Sequence, residues 1–458
     1  MNIQQKFSAK LLDQMRENAI TRREAVRRAM FGAAGLWLGD HLGLSALAAA
    51  QSPKAKARSV IQIWMWGGPA HLDTWDPKPD AGYDYYGAFK TPIATNVDGL
   101  RVNELMPLLA KQADKYAVIH SMTHGVNAHE TASYLVQTAR QQGGRDVYPC
   151  AGAVVSLFKG AYGGYRGLLP PYIVLTEPQG RFDEAGFLGS RFKPFATGGD
   201  PAAQRFAVEG IVASGISDKR QQDRRNYLHS LNTLQHAAPS DPQMLAASQV
   251  EKQAYDLILG DAGKVFDLST EKSDLRDRYG RNTFGQSCLV ARKLVERGVP
   301  YVTINYRSGN WDTHKQNFQT MRRRLPEMDK GVATLLQDLS DRGLLGSTIV
   351  WWCGEFGRTP KVQWEAPWNG GRGHWGNVFS AMVAGGGFKG GQVVGASDAK
   401  GEEVKDRPVH PADLIGTMYE LLGIDCNGRL PHPTGQFTTV IPNAEDGTKF
   451  GGRLKEIV

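Results

Sequence analysis

The chain has 458 residues, 41% of them hydrophobic and 22% charged, a composition that excludes a disordered or membrane-spanning class and allows a large buried core. The formal charge of +8 falls to +5 when the first fifty residues, with seven Lys/Arg and four Asp/Glu, are set aside. With no dense Lys/Arg run interleaved with aromatics, nucleic acid is a poor partner and anionic small molecules a better one.

Residues 1–50 have the layout of a cleaved export signal. Arg22 and Arg23 form a twin-arginine pair, an Ala/Gly/Leu-rich segment follows, and Ala48, Ala49 and Ala50 supply small residues for cleavage. The expectation is a twin-arginine signal peptide over 1–50 and a single domain over 51–458, located in the periplasm or secreted. The competing reading is an amphipathic N-terminal helix with accidental arginines.

Beyond it, strand-like runs alternate with helical patterns. RSVIQIWMW and KYAVIHSM read as strands, SCLVARKLVERG as a helix, and PYVTINY as a strand. Helical MRRRLPEMDKGVATLLQDLSDRG, strands STIVWWC and VFSAMVAGGG, and helical PADLIGTMYELLG follow. Such alternation predicts an α/β fold with a parallel sheet and helices on both faces. Pro326 should start or kink its helix. Residues 159–240, rich in Gly, Pro, Arg and aromatics, read as a loop-rich insertion over the sheet, where Tyr162, Tyr165, Phe182 and Phe187 could stack on sugar rings. Cys150, Cys288, Cys353 and Cys426 lack CxxC spacing, which argues against a zinc finger. One or two disulfides are allowed, although Cys353 in its apolar run reads as a buried thiol.

Ligands of open α/β sheets bind beyond the carboxyl ends of strands, and here those positions are polar. The first strand leads to His71, Asp73 and Asp76, and the second to Thr123, His124, Asn127 and His129. Later strands lead to Asp312 and His314, to Glu355 and Arg358, and the segment GGRGHW adds Arg372 and His374. Seven of the ten histidines outside the signal (His71, His120, His124, His129, His314, His374 and His410, the last standing before the final helix) lie in or beside such segments. Imidazoles and carboxylates gathered at one sheet edge suit Zn, Mn or Fe. Each element also has a plainer reading: Asp312 and His314 as helix caps, Asp73 and Asp76 as turn residues, His120 as a core histidine, Arg358 as a loop brace.

The segments GGPAHLDTWDPKP, SMTHGVNAHETASY, NWDTH, GEFGRTP, GRGHW and HPADLIGTMYELLGID, in this order from residue 67 to 425, resemble the DUF1501 family, twin-arginine-exported relatives of the sulfatase and alkaline phosphatase superfamily. The resemblance implies an alkaline-phosphatase-like central, mostly parallel sheet and a divalent-metal site of one or two ions, Zn, Mn, Fe or Ca. It places metal ligands at Asp73 (Asp76 competing), Asp312, His314, Glu355 and His374. Thr123 stands at the position of the nucleophile, expected at a helix N-terminus, with Thr131 as second choice. His124 and His129 become candidate proton donors, His71, His124 or His129 could stand in for an imidazole ligand that this chain lacks, and Arg358, with Arg372, becomes a holder of the anionic group. The superfamily's Asp-His pair is replaced by Glu355-Phe356, and no Cys-x-Pro-x-Arg or Ser-x-Pro-x-Arg stretch is present, so a typical formylglycine sulfatase is not expected. The expected function is an exported metal-dependent hydrolase of phosphate or sulfate esters, carbohydrate-linked esters among them. The alternative is a non-catalytic exported binding protein on a degenerate form of that fold. The expected partners are a small-molecule or carbohydrate ester and the twin-arginine translocase.

Overall fold

A computed structural model describes residues 55–458, except 144–145, 161–162, 178–183, most of 209–262, 306–310 and 445–446. The signal expected over 1–50 lies outside the described residues, as do Tyr162 and Phe182. Among the described residues, no helix is long and apolar enough to cross a membrane.

Eight strands form the central sheet: β1 (Ser59–Trp64), β2 (Tyr116–Met122), β3 (Tyr172–Leu175), β4 (Phe195–Ala196), β5 (Tyr301–Asn305), β6 (Thr348–Cys353), β7 (Phe379–Ala384) and β8 (Gln392–Val394). Their spatial order is β8-β2-β7-β6-β1-β5-β3-β4. Only β7 runs antiparallel to its neighbours, so the sheet is mostly parallel, as expected. The central strand SVIQIW is buried at every position, which is why it reads as an unbroken run rather than an alternation.

Helices cover both faces. On one, α3 (Thr283–Glu296) and α4 (Asn317–Asp341) pack against Ile61, Ile63, Val302, Val350 and Trp352. On the other, α2 (Ala151–Lys159), α5 (Pro411–Leu421) and Val136 of α1 (His129–Thr138) cover Val60, Tyr301, Trp351 and Val383. Adjacent residues of one strand thus serve opposite cores.

Three expectations are corrected. The stretch 159–240 is not purely an overlying insertion, because it supplies β3 and β4 at the sheet edge. Pro326 does not start α4 but sits inside it on its exposed face, where water can take the carbonyl bond that its ring forbids. All four cysteines are buried free thiols, so no disulfide forms.

Candidate metal centre at the carboxyl edge of the sheet

The carboxyl ends of β1, β2, β5 and β6 share one edge, and antiparallel β7 starts there, with Phe379 paired to Met122 at the end of β2. Segments distant in sequence therefore meet. After β1, Gly67 adopts φ +106°, a conformation that favours glycine, and a Cβ on it would lie 2.2 Å from the Asp312 amide. Its own amide donates to Glu355 Oε1 at 2.9 Å, so the first loop is sewn to the loop after β6.

Asp312 is the hub. Its Oδ1 lies 3.1 Å from both His314 Nε2 and His374 Nε2 and accepts from Arg358 Nη2; its Oδ2 lies 3.5 Å from His129 Nε2. The facing Nε2 atoms of His314 and His374 are 2.9 Å apart. Two of these imidazoles have fixed tautomers. His374 Nδ1 faces the Asn127 carbonyl at 2.8 Å, and a carbonyl only accepts, so Nδ1 carries the hydrogen. His129 Nδ1 faces Glu355 Oε1 at 2.6 Å and donates to it likewise. Both rings, when neutral, thus turn an Nε2 lone pair toward Asp312. The three ligand atoms of His129, Asp312 and His374 lie within 4.8 Å of one another.

The aromatic neighbours fix these rings. Phe356 stacks on His374 with centroids 4.6 Å apart, and Trp66 stacks on His129 at 5.8 Å. Side-chain exposure of 25% for His129 and 21% for His374 leaves the cluster reachable from solvent. Burial alone would lower the His129 pKa, but hydrogen bonds to Asp312 and Glu355 outweigh it and raise it to about 9. Burial opposes the Asp312 charge too, yet bonds from His129 and His374 and the charge of Arg358 hold this carboxyl far below the usual range. Without a cation, the cluster would take up a proton in its place.

Among the expected ligands, Asp312, His314 and His374 are brought together, and Glu355 stands behind them, gripping His129. His129, expected as a proton donor or as a replacement for the lost imidazole ligand, stands among the ligand candidates. Asp73 belongs to a different constellation. Fully buried, it receives Arg372 Nε at 2.8 Å and Nη2 at 3.0 Å, and Asn317 Nδ2 at 2.7 Å. Asp76 meets Lys78 at 2.8 Å, His120 at 3.5 Å and the Ser397 hydroxyl.

Several assigned roles do not match these positions. Thr123 is not at a helix N-terminus: β2 ends at Met122 and α1 begins at His129, while Thr123 is tied by its backbone to Val409 and His410. Thr131 lies within α1, its hydroxyl 3.5 Å from Gln142. Both nitrogens of His124 are used by the backbone, Nε2 by the Glu355 carbonyl at 2.7 Å and Nδ1 by the Val126 amide at 3.0 Å; with burial holding its pKa near about 4, it braces the loop. Arg358, fully buried, spends its donors on the carbonyls of Gly67, Gly68 and Arg372 and on Asp312, and so positions Asp312 rather than an incoming anion. Arg372 uses all five N–H groups on Asp73 and on the carbonyls of Thr359, Pro360 and Tyr85. The helix-capping reading of Asp312 and His314 fails as well, because Gln316 is the N-cap of α4. Sequence reasoning missed the Gly67 amide and the Asn127 carbonyl, backbone groups that leave no residue-type signal.

In fold, the chain is similar to the lipoteichoic acid synthase LtaP from Listeria monocytogenes, at 10% identity and a TM-score of 0.38, with 87% of this chain and 80% of that one covered. It is similar to the PsFucS1 sulfatase from Pseudoalteromonas sp. at 14% identity and a TM-score of 0.38, covering 90% and 77%. A protein in the alkaline phosphatase superfamily from Vibrio parahaemolyticus is similar at 10% identity and a TM-score of 0.38, covering 83% and 74%. No curated protein matches in sequence. A family model described as "Protein of unknown function (DUF1501)" matches residues 57–443, nearly the whole described chain, and the protein belongs to the DUF1501 family.

Proposed function

We propose that this protein is an exported, metal-dependent hydrolase of anionic esters, phosphate or sulfate, including esters carried on carbohydrates. The observation that carries the reading is the convergence of His129, Asp312 and His374 within 4.8 Å, with the far nitrogen of each ring pinned by Glu355 or by the Asn127 carbonyl. Two pinned imidazoles and a carboxylate, with a third imidazole 3.1 Å from that carboxylate, fit Zn, Mn or Fe better than the all-oxygen preference of Ca. An ion held there would supply Lewis-acid polarisation of the ester and a water of lowered pKa.

The chain's own residues do the rest. Arg358 and Glu355 orient Asp312 and His129, while Phe356 and Trp66 shield one side of the rings. His314, the most exposed imidazole of the cluster at 38%, exchanges the proton at its Nε2 with the leaving oxygen. Water is the nucleophile in this reading, since neither Thr123 nor Thr131 makes a hydrogen bond to the cluster. Export by the twin-arginine translocase to the periplasm or medium belongs to the same proposal and rests on the Arg22-Arg23 pattern.

The test is hydrolysis of aryl phosphates and aryl sulfates by purified protein supplied with Mn or Zn. Asp312→Asn and His374→Ala are each expected to lower turnover by about 100-fold or more. Variants as active as the wild type would end the hydrolase reading. A bound ion without turnover on any ester would favour the binding-protein alternative.

A further inference from the structure

We infer that Arg358 is a built-in cation of this centre and that the chain therefore holds one divalent ion, not two. The inference rests on the metal reading above and adds its stoichiometry.

Four buried or half-buried carboxylates, Asp73, Asp76, Asp312 and Glu355, stand at this edge, enough in principle for two ions. Each already has a positive or donor partner from the chain. Asp73 is held bidentately by Arg372, with both side chains at 0% exposure and Asn317 added to one oxygen. Asp312 carries the Arg358 guanidinium on Oδ1, where a second ion would have to sit. That guanidinium is fully buried and bonded to three carbonyls, of Gly67, Gly68 and Arg372, so it cannot swing aside to admit one. Glu355 Oε1 is taken by His129 and the Gly67 amide.

What remains is a donor set for a single ion. Among the described residues, the Nε2 atoms of His129 and His374 and the carboxylate of Asp312 are three donors, enough for one ion that keeps a position open for water and too few for a pair, and His314 stays free to exchange its proton. Charge counting agrees. Four carboxylates against Arg358, Arg372 and Lys78, which pairs with Asp76 at 2.8 Å, leave one net negative charge with the imidazoles neutral; one divalent ion turns this into a single positive charge suited to an anionic ester. Two would leave three positive charges packed at one buried edge, without carboxylates to face them.

The measurement is metal content after equilibrium dialysis of chelator-stripped full-length protein against Mn2+ and, separately, Zn2+. One equivalent per chain is expected for the wild type, lost in both Asp312→Asn and His374→Ala. Two equivalents, both lost in these variants, would overturn the built-in cation while leaving the metal reading standing. No bound metal in folded protein would overturn both. A single equivalent that survives in both variants would place the ion elsewhere and overturn the assignment of these ligands.

Discussion

Asp73→Asn separates a structural acid from a metal ligand. In the folded protein the Asp73 oxygens accept from Arg372 Nε and Nη2 and from Asn317 Nδ2, and both members of the ion pair are fully buried. An amide can replace only one of the two oxygens; its NH2 group must then face either the guanidinium or the Asn317 amide, donor against donor. Arg372 keeps the carbonyls of Tyr85, Thr359 and Pro360 but loses its counter-charge. Removing one partner of a buried pair costs about 3–5 kcal/mol, because a charge is left uncompensated away from water. Denaturant unfolding should show a loss of that size. Asn317 links the pair to the loop carrying Asp312, because it also accepts from the Thr313 hydroxyl at 2.7 Å. Even so, metal content of the folded variant should equal that of the wild type. Retained stability, within about 1 kcal/mol, together with loss of the ion, would refute the argument and return Asp73 to the ligand set.

Glu355→Gln should weaken metal affinity by about 10–100-fold, read by competition with a chelating dye, because the amide no longer draws the His129 hydrogen to Nδ1 with a full charge. Gly67→Ala should cost about 1–3 kcal/mol in thermal unfolding from its φ of +106° alone, and more from the clash with the Asp312 amide, with metal binding weakened in parallel; a neutral effect would contradict the close approach. His71 is fully buried, and burial lowers its pKa from 6.5 to about 4. The unfolded chain then takes up a proton near pH 6.5 that the folded chain refuses. Stability present above pH 6.5 is therefore lost as pH falls toward 4, by about 3 kcal/mol from this group. Melting curves from pH 8 to 4.5 should fall more shallowly in His71→Gln than in the wild type, and equal slopes would sink the assignment.

The sheet was legible because its buried strands are long and apolar. SVIQIW, YAVIHSM, YVTIN, TIVWWC and FSAMVA all form strands near where the pattern puts them. YIVL and the two-residue Phe195–Ala196 were hidden in a Gly- and Pro-rich stretch, where a short run pairs only because β5 offers β3 an edge and β3 then offers one to β4. Asp312, His314 and His374 stood out since acids and imidazoles seldom follow core strands without a task. Their partition into ligand, brace and counter-ion was not legible. It depends on which oxygen faces which guanidinium, and Asp73 and Asp312 look alike in sequence while one faces Arg372 and the other the imidazoles. His124 illustrates the same limit, because only backbone geometry reveals that both of its nitrogens are occupied.

The arginines carry the larger consequence. A surface guanidinium beside a candidate centre invites the role of anion clamp, but Arg358 and Arg372 are at 0% exposure and point their N–H groups into the chain's own carbonyls and carboxylates. A clamp must keep donors for its substrate, and Arg372 has none left. The positive potential that meets an incoming anion therefore has to come from what is added at Asp312 and from the first turn of α1. That helix begins at His129 itself, and its N-cap, Ala128, offers no side-chain acceptor to the amides of the turn. Candidate metal ligand and helix start coincide in one residue. Any change that reshapes the 123–128 loop should thus disturb ion binding and anion binding together, whereas changes around Arg372 should disturb stability alone.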